Sequence, residues 1–417
     1  MKLPDNNTFC VAPWFQIRNE NDGSKRVCCG ITSKYPKSVE QEPLEFLNSA
    51  DNIELKKKLH NGTKANACGN CWHAEDHGRI SLRQKLNGVL TNNSSSIDKT
   101  WIDSYFRHKT DFTSEGVLMA DIKMGNTCNY ACVMCVPEDS SMIYNDWHKK
   151  PNAFFIKEKL KKDPGYLDRI KNTGYRNQKY RQYVKNILAN RKLKYLKLLG
   201  GEPLLDKRLL TELRSLPEQQ KQKLSLYIVT NGSKDLLATK EYLGNFKSIM
   251  FTVSLEGTSR VQDYARYGSN WSTVSANIVN FKKLFPSDVI IHTTLQTTTI
   301  LGLKDLAEWA KKYKLSLSMG LCQEPKYLSF LSLPDAVREQ VKNSLIEAKI
   351  IISQKTVGDE EGWPIEKIIN IMEKTQFDPT QYKKFLDYII WYENGKNIPN
   401  LKEISPSLFI DKNQNII

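Results

Sequence analysis

Between residues 117 and 325, six short apolar or β-branched stretches alternate with longer helix-compatible segments. This alternation restricts the chain to few folds. The strand candidates are 117–123, 193–199, 224–230, 249–255, 288–296 and 315–321. Each has the length and residue types of a buried strand. Strands joined by helical crossovers pair in parallel, so the segment predicts an α/β fold. Six units suit an open, partial (β/α)6 TIM-like barrel better than a closed eightfold one. In such architectures the chemistry gathers at the C-terminal ends of the strands.

The flanks read differently. Residues 1–90 are rich in cysteine and turn residues, as a small metal-stapled module would be, and residues 91–116 read as a linker opening on Thr-Asn-Asn-Ser-Ser-Ser. From 326 to 417 the pattern is helical, with amphipathic candidates at 336–352, 364–373 and 382–391. An apolar fraction of 40% supports a buried core. The opening residues MKLPDNNTFC lack the apolar centre of a signal peptide. No apolar run approaches the roughly 20 residues of a membrane span. The expectation is a soluble, cytoplasmic protein with no membrane partner.

Nine cysteines in such a compartment point to metal rather than to disulfides. Seven fall into three groups: Cys10 with Cys28, Cys68 with Cys71, and Cys128 with Cys132 and Cys135. The last three form Cys-x3-Cys-x2-Cys directly after the first predicted strand. Fe–S clusters are usually held by four thiolates. Three in one loop leave an iron with an open position, as a metal needs in order to engage a ligand. A zinc site, or a cluster with a remote fourth ligand, fits the same spacing.

Later strands end in polar motifs: Gly200-Gly201-Glu202-Pro203, then Thr230-Asn231-Gly232, then Ser254-Leu255-Glu256-Gly257 with Arg266 beyond it. Glycines permit close backbone approach, Glu202 suits an ammonium group, and a guanidinium suits a carboxylate.

In order and approximate spacing, CNYACVMC, GGEP, TNG and SLEG resemble the motifs of radical S-adenosylmethionine (SAM) enzymes over about residues 117–325. The resemblance implies that Cys128, Cys132 and Cys135 bind three irons of a [4Fe–4S] cluster while SAM chelates the fourth. Glu202 would hold the SAM amino group, and Ser254 and Arg266 its carboxylate end. Met134, Gly200, Gly201, Pro203, Asn231 and Gln296 would complete the cofactor-binding set. Met134 stands where the family usually has an aromatic residue. The implied activity is reductive cleavage of SAM to a 5′-deoxyadenosyl radical that abstracts a hydrogen from a substrate, fed by a reductant such as flavodoxin or ferredoxin.

The N-terminal cysteines resemble SPASM and twitch auxiliary-cluster domains, here placed before the barrel rather than after it. This implies that Cys10, Cys28, Cys68 and Cys71 hold a second [4Fe–4S] cluster. Zinc on the same thiolates, and Cys29 in place of Cys28, remain open. His73 and His77 flank this group at helical spacing but are read as structural, and Cys322 as a buried thiol. By analogy with relatives bearing auxiliary clusters, the expected substrate is a peptide or protein, oxidised or cross-linked. A sugar or nucleotide, or RNA or DNA, are alternatives.

The net charge is +15, and residues 149–197 carry sixteen Lys and Arg against three acids. That segment, with a basic helical insertion at 149–192, interleaves its cations with Phe154, Phe155, Tyr166, Tyr175, Tyr180 and Tyr183. It reads either as a solvated insertion whose aromatics pack inward or as a surface for nucleic acid or an acidic peptide. A non-catalytic, metal-stapled nucleic-acid-binding protein is the rival from another class, and it leaves the strand-end motifs without a use.

Overall fold

The computed structural model describes residues 6–32, 41–76, 78, 80–91, 104–106, 109, 111–171, 173–353 and 364–410. His77 and most of the predicted linker lie outside them. Among the described residues ten strands occur: β1 (Gln16–Asn19), β2 (Lys25–Arg26), β3 (Met119–Lys123), β4 (Ala131–Cys132), β5 (Tyr195–Leu199), β6 (Ser225–Thr230), β7 (Ser248–Ser254), β8 (Arg266–Tyr267), β9 (Val289–Leu295) and β10 (Ser316–Leu321). Eight form one sheet in the order β10-β9-β7-β6-β5-β3-β1-β2, and β4 pairs with β8. All six predicted strands are present, and the mixed α/β architecture with a mainly parallel sheet is that of a partial TIM-like fold. No helix among the described residues is long and apolar enough to cross a membrane.

The chain divides into two compact units. The first comprises Met1–Thr127, Asp168–Val229 and Lys240–Met250. Here β1 pairs in parallel with β3, β3 with β5 and β5 with β6, while β2 closes an antiparallel hairpin on β1. β1 is polar in sequence (Gln-Ile-Arg-Asn) yet wholly buried. Its Arg18 lies opposite Asp121 of β3 and binds it at 2.7 Å. An ionised pair of this kind replaces the water both groups lose on burial. A neighbouring core gathers Phe9, Val11, Trp14, Phe15, Phe106, Leu118 and Met119, with Trp14 and Phe106 edge to face at 5.0 Å. Against it lies the helix Ala50–His60, which buries Leu55, Leu59 and also Lys56. The Lys56 ammonium donates to the carbonyls of Leu47 (2.8 Å) and Phe112 (3.0 Å) and to Ser114 Oγ (2.7 Å).

The second unit comprises Cys128–Leu167, Thr230–Thr239 and Phe251–Ile417. Residues 251–254 of β7 pair in parallel with β9, and β9 with β10. The three predicted C-terminal helices are Asp335–Ser353, Ile365–Lys374 and Pro379–Glu393. The last begins at Asp378, whose carboxylate accepts from the amides of Thr380 and Gln381, with Pro379 at the first helical position. Its buried side carries Tyr382, Phe385, Tyr388, Ile389, Trp391 and Tyr392.

The aromatics of the basic segment all have partners. In the second unit Phe155 meets Trp391 at 4.8 Å and Tyr388 at 5.1 Å, Phe154 meets Tyr327 at 5.5 Å, and Tyr166 bonds Glu138. In the first unit Tyr175 bonds Glu212, Tyr180 donates to the Lys123 carbonyl at 2.6 Å, and the Tyr183 ring sits 4.4 Å from the Lys25 ammonium. Inward packing, one of the two readings offered by the sequence, describes Phe154, Phe155 and Tyr180.

Candidate active site

The loop bearing Cys128, Cys132 and Cys135 belongs to the second unit, and its backbone is bonded almost residue by residue. Ser141 Oγ donates to the Cys128 carbonyl (3.1 Å), and Ser140 Oγ to that of Tyr130 (2.7 Å). The carbonyls of Ala131 and Val133 accept from the hydroxyls of Tyr392 (2.8 Å) and Tyr388 (2.6 Å). The Cys132 carbonyl takes the Cys135 amide at 3.0 Å, and the Val133 amide donates to Ala265 at 2.8 Å. Ser140 also caps the helix Ser141–Lys149 by accepting from Ile143, so one serine starts the helix and holds the loop. These bonds hold the backbone on both sides of Cys132.

Those sulfurs stand close enough to affect one another. Burial raises the Cys132 thiol, and it raises that of Cys135 further, with the charges of Cys132, Asp139 and Cys128 adding to it. Two neighbours approach them: the Tyr130 amide lies 3.5 Å from Cys128 Sγ, and Arg266 Nη1 lies 3.5 Å from Cys132 Sγ. Asn231 Nδ2 bonds Asn129 Oδ1 at 2.8 Å and lies 4.0 Å from Cys128 Sγ. Asn231 is thus brought to the cysteine loop.

Arg266 departs from the expectation of a guanidinium held free for a carboxylate. Its Nη2 is bound to Glu256 at 2.6 Å, while Nε has no hydrogen-bond partner. Glu256, fully buried, also accepts from the Thr294 amide at 2.8 Å. Burial raises its carboxyl and the Arg266 charge opposes that rise. Sequence reading quoted Glu256 within its motif and gave it no role. The signal was there, an acid ten residues from the one arginine of interest.

Ser254 ends β7, half-buried, opposite His292. Met134 is half-buried between Val133 and Cys135. Gln296 follows β9 with no exposure, and neither its amide nitrogen nor its oxygen has a hydrogen-bond partner; Gln262 Nε2 and Thr298 Oγ1 are orphaned too. Buried polar atoms without partners are rare in finished structures. Of these, Gln262 stands against the Glu256–Arg266 pair, its Oε1 accepting from the Glu256 amide at 2.8 Å.

The Gly200–Pro203 turn lies in the first unit. Both glycines have positive φ, 80° and 57°. A Cβ on Gly201 would fall 2.4 Å from the Thr127 carbonyl, which accepts from the Glu202 amide at 2.7 Å. The sequence allowed these glycines either a close approach to a ligand or a tight β–α turn, and they seat the turn against Thr127. Glu202 is 2% exposed and caps the following turn through Leu204 (3.1 Å), with Pro203 at its start.

Cys10, Cys28, Cys68 and Cys71 also lie in the first unit and line one small cavity of about 20 Å³, with Leu55, Leu59 and Arg83 in its wall. Burial pushes the Cys10 and Cys68 thiols up to about 12 each, and Cys71 raises both. Cys29 is exposed and outside this lining; His73 is exposed. Among the described residues no three Cys, His, Asp or Glu side chains close around the position of a single ion. The donor set, four thiols around one cavity, suits an iron–sulfur cluster and a zinc ion alike. Cys322 is buried, its thiol donating to the Glu324 carbonyl at 3.6 Å.

Residues 122–310 match the family model described as Radical SAM superfamily. No curated protein sequence matches it. Among solved structures it is similar to anSMEcpe with bound AdoMet (19% identity, 55% of this chain and 59% of that one, TM-score 0.38). It is also similar to Streptococcus suis SuiB bound to precursor peptide SuiA (14% identity, 81% and 69%, TM-score 0.34). TYW1 with a lysine-pyruvate adduct is a third (14% identity, 56% and 71%, TM-score 0.31). The chain matches about three-fifths of the length of the anSMEcpe structure.

Proposed function

We propose that this chain is a radical SAM enzyme whose cluster is held by Cys128, Cys132 and Cys135, and that it modifies a peptide or protein. The observation that carries the reading is the three-cysteine loop, its backbone held by hydrogen bonds on both sides of Cys132 and its thiols close enough to shift one another, inside the segment matched to the superfamily. When bound, the cluster supplies the electron for reductive cleavage of SAM and so for hydrogen-atom abstraction from a substrate.

The chain's own groups do the rest. Arg266, fixed by Glu256, keeps a positive charge beside Cys132 and offers its unpartnered Nε to a bound ligand. Gln296 offers an amide donor and acceptor in a site closed to water. Asn231 braces Asn129 and the first cysteine. Glu202 and Ser254 are proposed for the SAM amino and carboxylate groups. The four N-terminal thiols are proposed to hold an auxiliary [4Fe–4S] cluster, a feature suited to taking an electron from an oxidised substrate. The peptide substrate rests on the likeness of that module to auxiliary-cluster domains.

The test is 5′-deoxyadenosine formation by anaerobically reconstituted protein with SAM and dithionite, beside a Cys128/Cys132/Cys135→Ala variant. Product from the wild type alone supports the reading. Absence of both SAM binding and product in iron-loaded wild type would sink it.

A further inference from the structure

The C-terminal helix Pro379–Glu393 lies outside the segment matched to the superfamily, yet two of its side chains reach into the cysteine loop. Tyr388 and Tyr392 stand one helical turn apart, so both hydroxyls leave the same face. Tyr388 is 4% exposed and Tyr392 not at all. The Tyr388 hydroxyl donates to the Val133 carbonyl at 2.6 Å and that of Tyr392 to the Ala131 carbonyl at 2.8 Å. These two carbonyls bracket Cys132 in the chain. The Tyr392 proton has a second acceptor in the Tyr264 carbonyl at 3.0 Å, two residues before Arg266. One helix therefore fixes the loop on both sides of its central cysteine and the segment that brings Arg266 to that cysteine.

The helix is itself held from several sides. Trp391 Nε1 donates to the Lys150 carbonyl at 3.2 Å, and Glu393 accepts from Tyr264 at 2.9 Å and from the Leu401 amide at 2.7 Å. Phe155 packs against Tyr388 and Trp391. A phenol on a helix so secured has little freedom to follow the loop, and the loop must follow the phenol.

We propose that Tyr388 and Tyr392 are positioning residues that set the geometry of the cysteine loop around Cys132, making the C-terminal helix a working part of the cluster site. The proposal rests on the reading of Cys128, Cys132 and Cys135 as cluster ligands. A sulfur displaced by loop motion loosens its iron, and outer contacts to a ligand set are known to govern metal retention. Each hydroxyl removed should cost about a fivefold change in loop opening, the worth of one ordinary buried hydrogen bond.

The experiment compares Tyr388→Phe, Tyr392→Phe and the double variant with Tyr382→Phe, all in the full chain. Tyr382 is the control: it lies on the same helix, and its hydroxyl donates to a different carbonyl, that of Leu408, at 2.8 Å. Two quantities are read, the rate at which an iron chelator strips the reconstituted cluster and amide exchange across residues 128–136 in the cluster-free chain. The expected result is chelation and exchange about fivefold faster in each single variant and about twentyfold in the double, with Tyr382→Phe at wild-type values. Wild-type rates in the double variant overturn the proposal, and so does an equal effect of Tyr382→Phe, which would mark a loss of general stability. If the wild type binds no iron, the ligand assignment fails, and exchange alone still decides whether the tyrosines hold the loop.

Discussion

Lys56 offers a measurement in which sign and size both follow from position. Its ammonium is fully buried, gives hydrogen bonds to Leu47, Phe112 and Ser114, and lies 5.0 Å from the Trp14 ring. Burial first, and the charge of Lys109 second, push the amine from the ordinary 10.5 down to about 7. Between those values the unfolded chain keeps a proton that the folded chain has released. The unfolded state binds more protons, so stability rises with pH across that window. From pH 7 to pH 9 the rise from this group is about 2 kcal/mol, at a limiting slope of about 1.4 kcal/mol per pH unit. Lys56→Met keeps the length and abolishes the titration. It leaves the Phe112 carbonyl and Ser114 Oγ short of a donor, whereas Leu47 keeps Asn52 at 2.8 Å. Two such losses cost about 2–6 kcal/mol, against about 1–2 kcal/mol gained by burying the methionine. Urea unfolding of both proteins, followed by tryptophan fluorescence at pH 7 and pH 9, should show the variant less stable at pH 9 and the gap about 2 kcal/mol narrower at pH 7. Titrations common to both cancel in the difference. Equal pH slopes would refute the reasoning, for they would mean that three acceptors keep the amine charged. Leu55 and Leu59 of the same helix line the four-cysteine cavity, so loosening this helix should also lower iron retention there.

Replacing Cys10, Cys28, Cys68 and Cys71 together by serine should roughly halve bound iron and sulfide and leave the SAM-cleaving cluster in place; undiminished iron would refute the auxiliary-cluster assignment. Glu256→Gln leaves the Arg266 charge buried without its counter-ion and should cost about 3–5 kcal/mol in urea unfolding. A loss under about 1 kcal/mol would show that Arg266 has another partner. Gly201→Ala brings a Cβ against the Thr127 carbonyl at a φ of 57° and should lower stability by at least about 1–3 kcal/mol, read as a fall in unfolding midpoint. An unchanged midpoint would mean that the turn is not seated as described.

Much of this was legible from residue order. The six barrel strands are mostly apolar or β-branched stretches of strand length, and composition and length sufficed to place them, although β7 and β9 bury only alternate residues. β1 was not legible, because Gln16, Arg18 and Asn19 give it the look of a loop. It is a strand because β3 offers an edge and Asp121 a counter-charge, both about a hundred residues away. Arg266 was picked out by its type; an acid ten residues away was in view, but which of the motif's groups it binds depends on the turn after β7. Tyr388 and Tyr392 were absorbed into an amphipathic face, where aromatic residues ordinarily mean core. Only their hydroxyls distinguish them, and a sequence does not say where a hydroxyl points.

The saturation of the loop carbonyls bears on how the protein lives without its metal. In a zinc finger the ion organises the peptide around it, and removing the ion unfolds the domain. Here serines, tyrosines and neighbouring amides hold the chain from Cys128 to Cys135. If these cysteines carry the proposed cluster, its assembly would resemble filling a prepared socket, and a chain that had lost it would keep a folded receptor for repair.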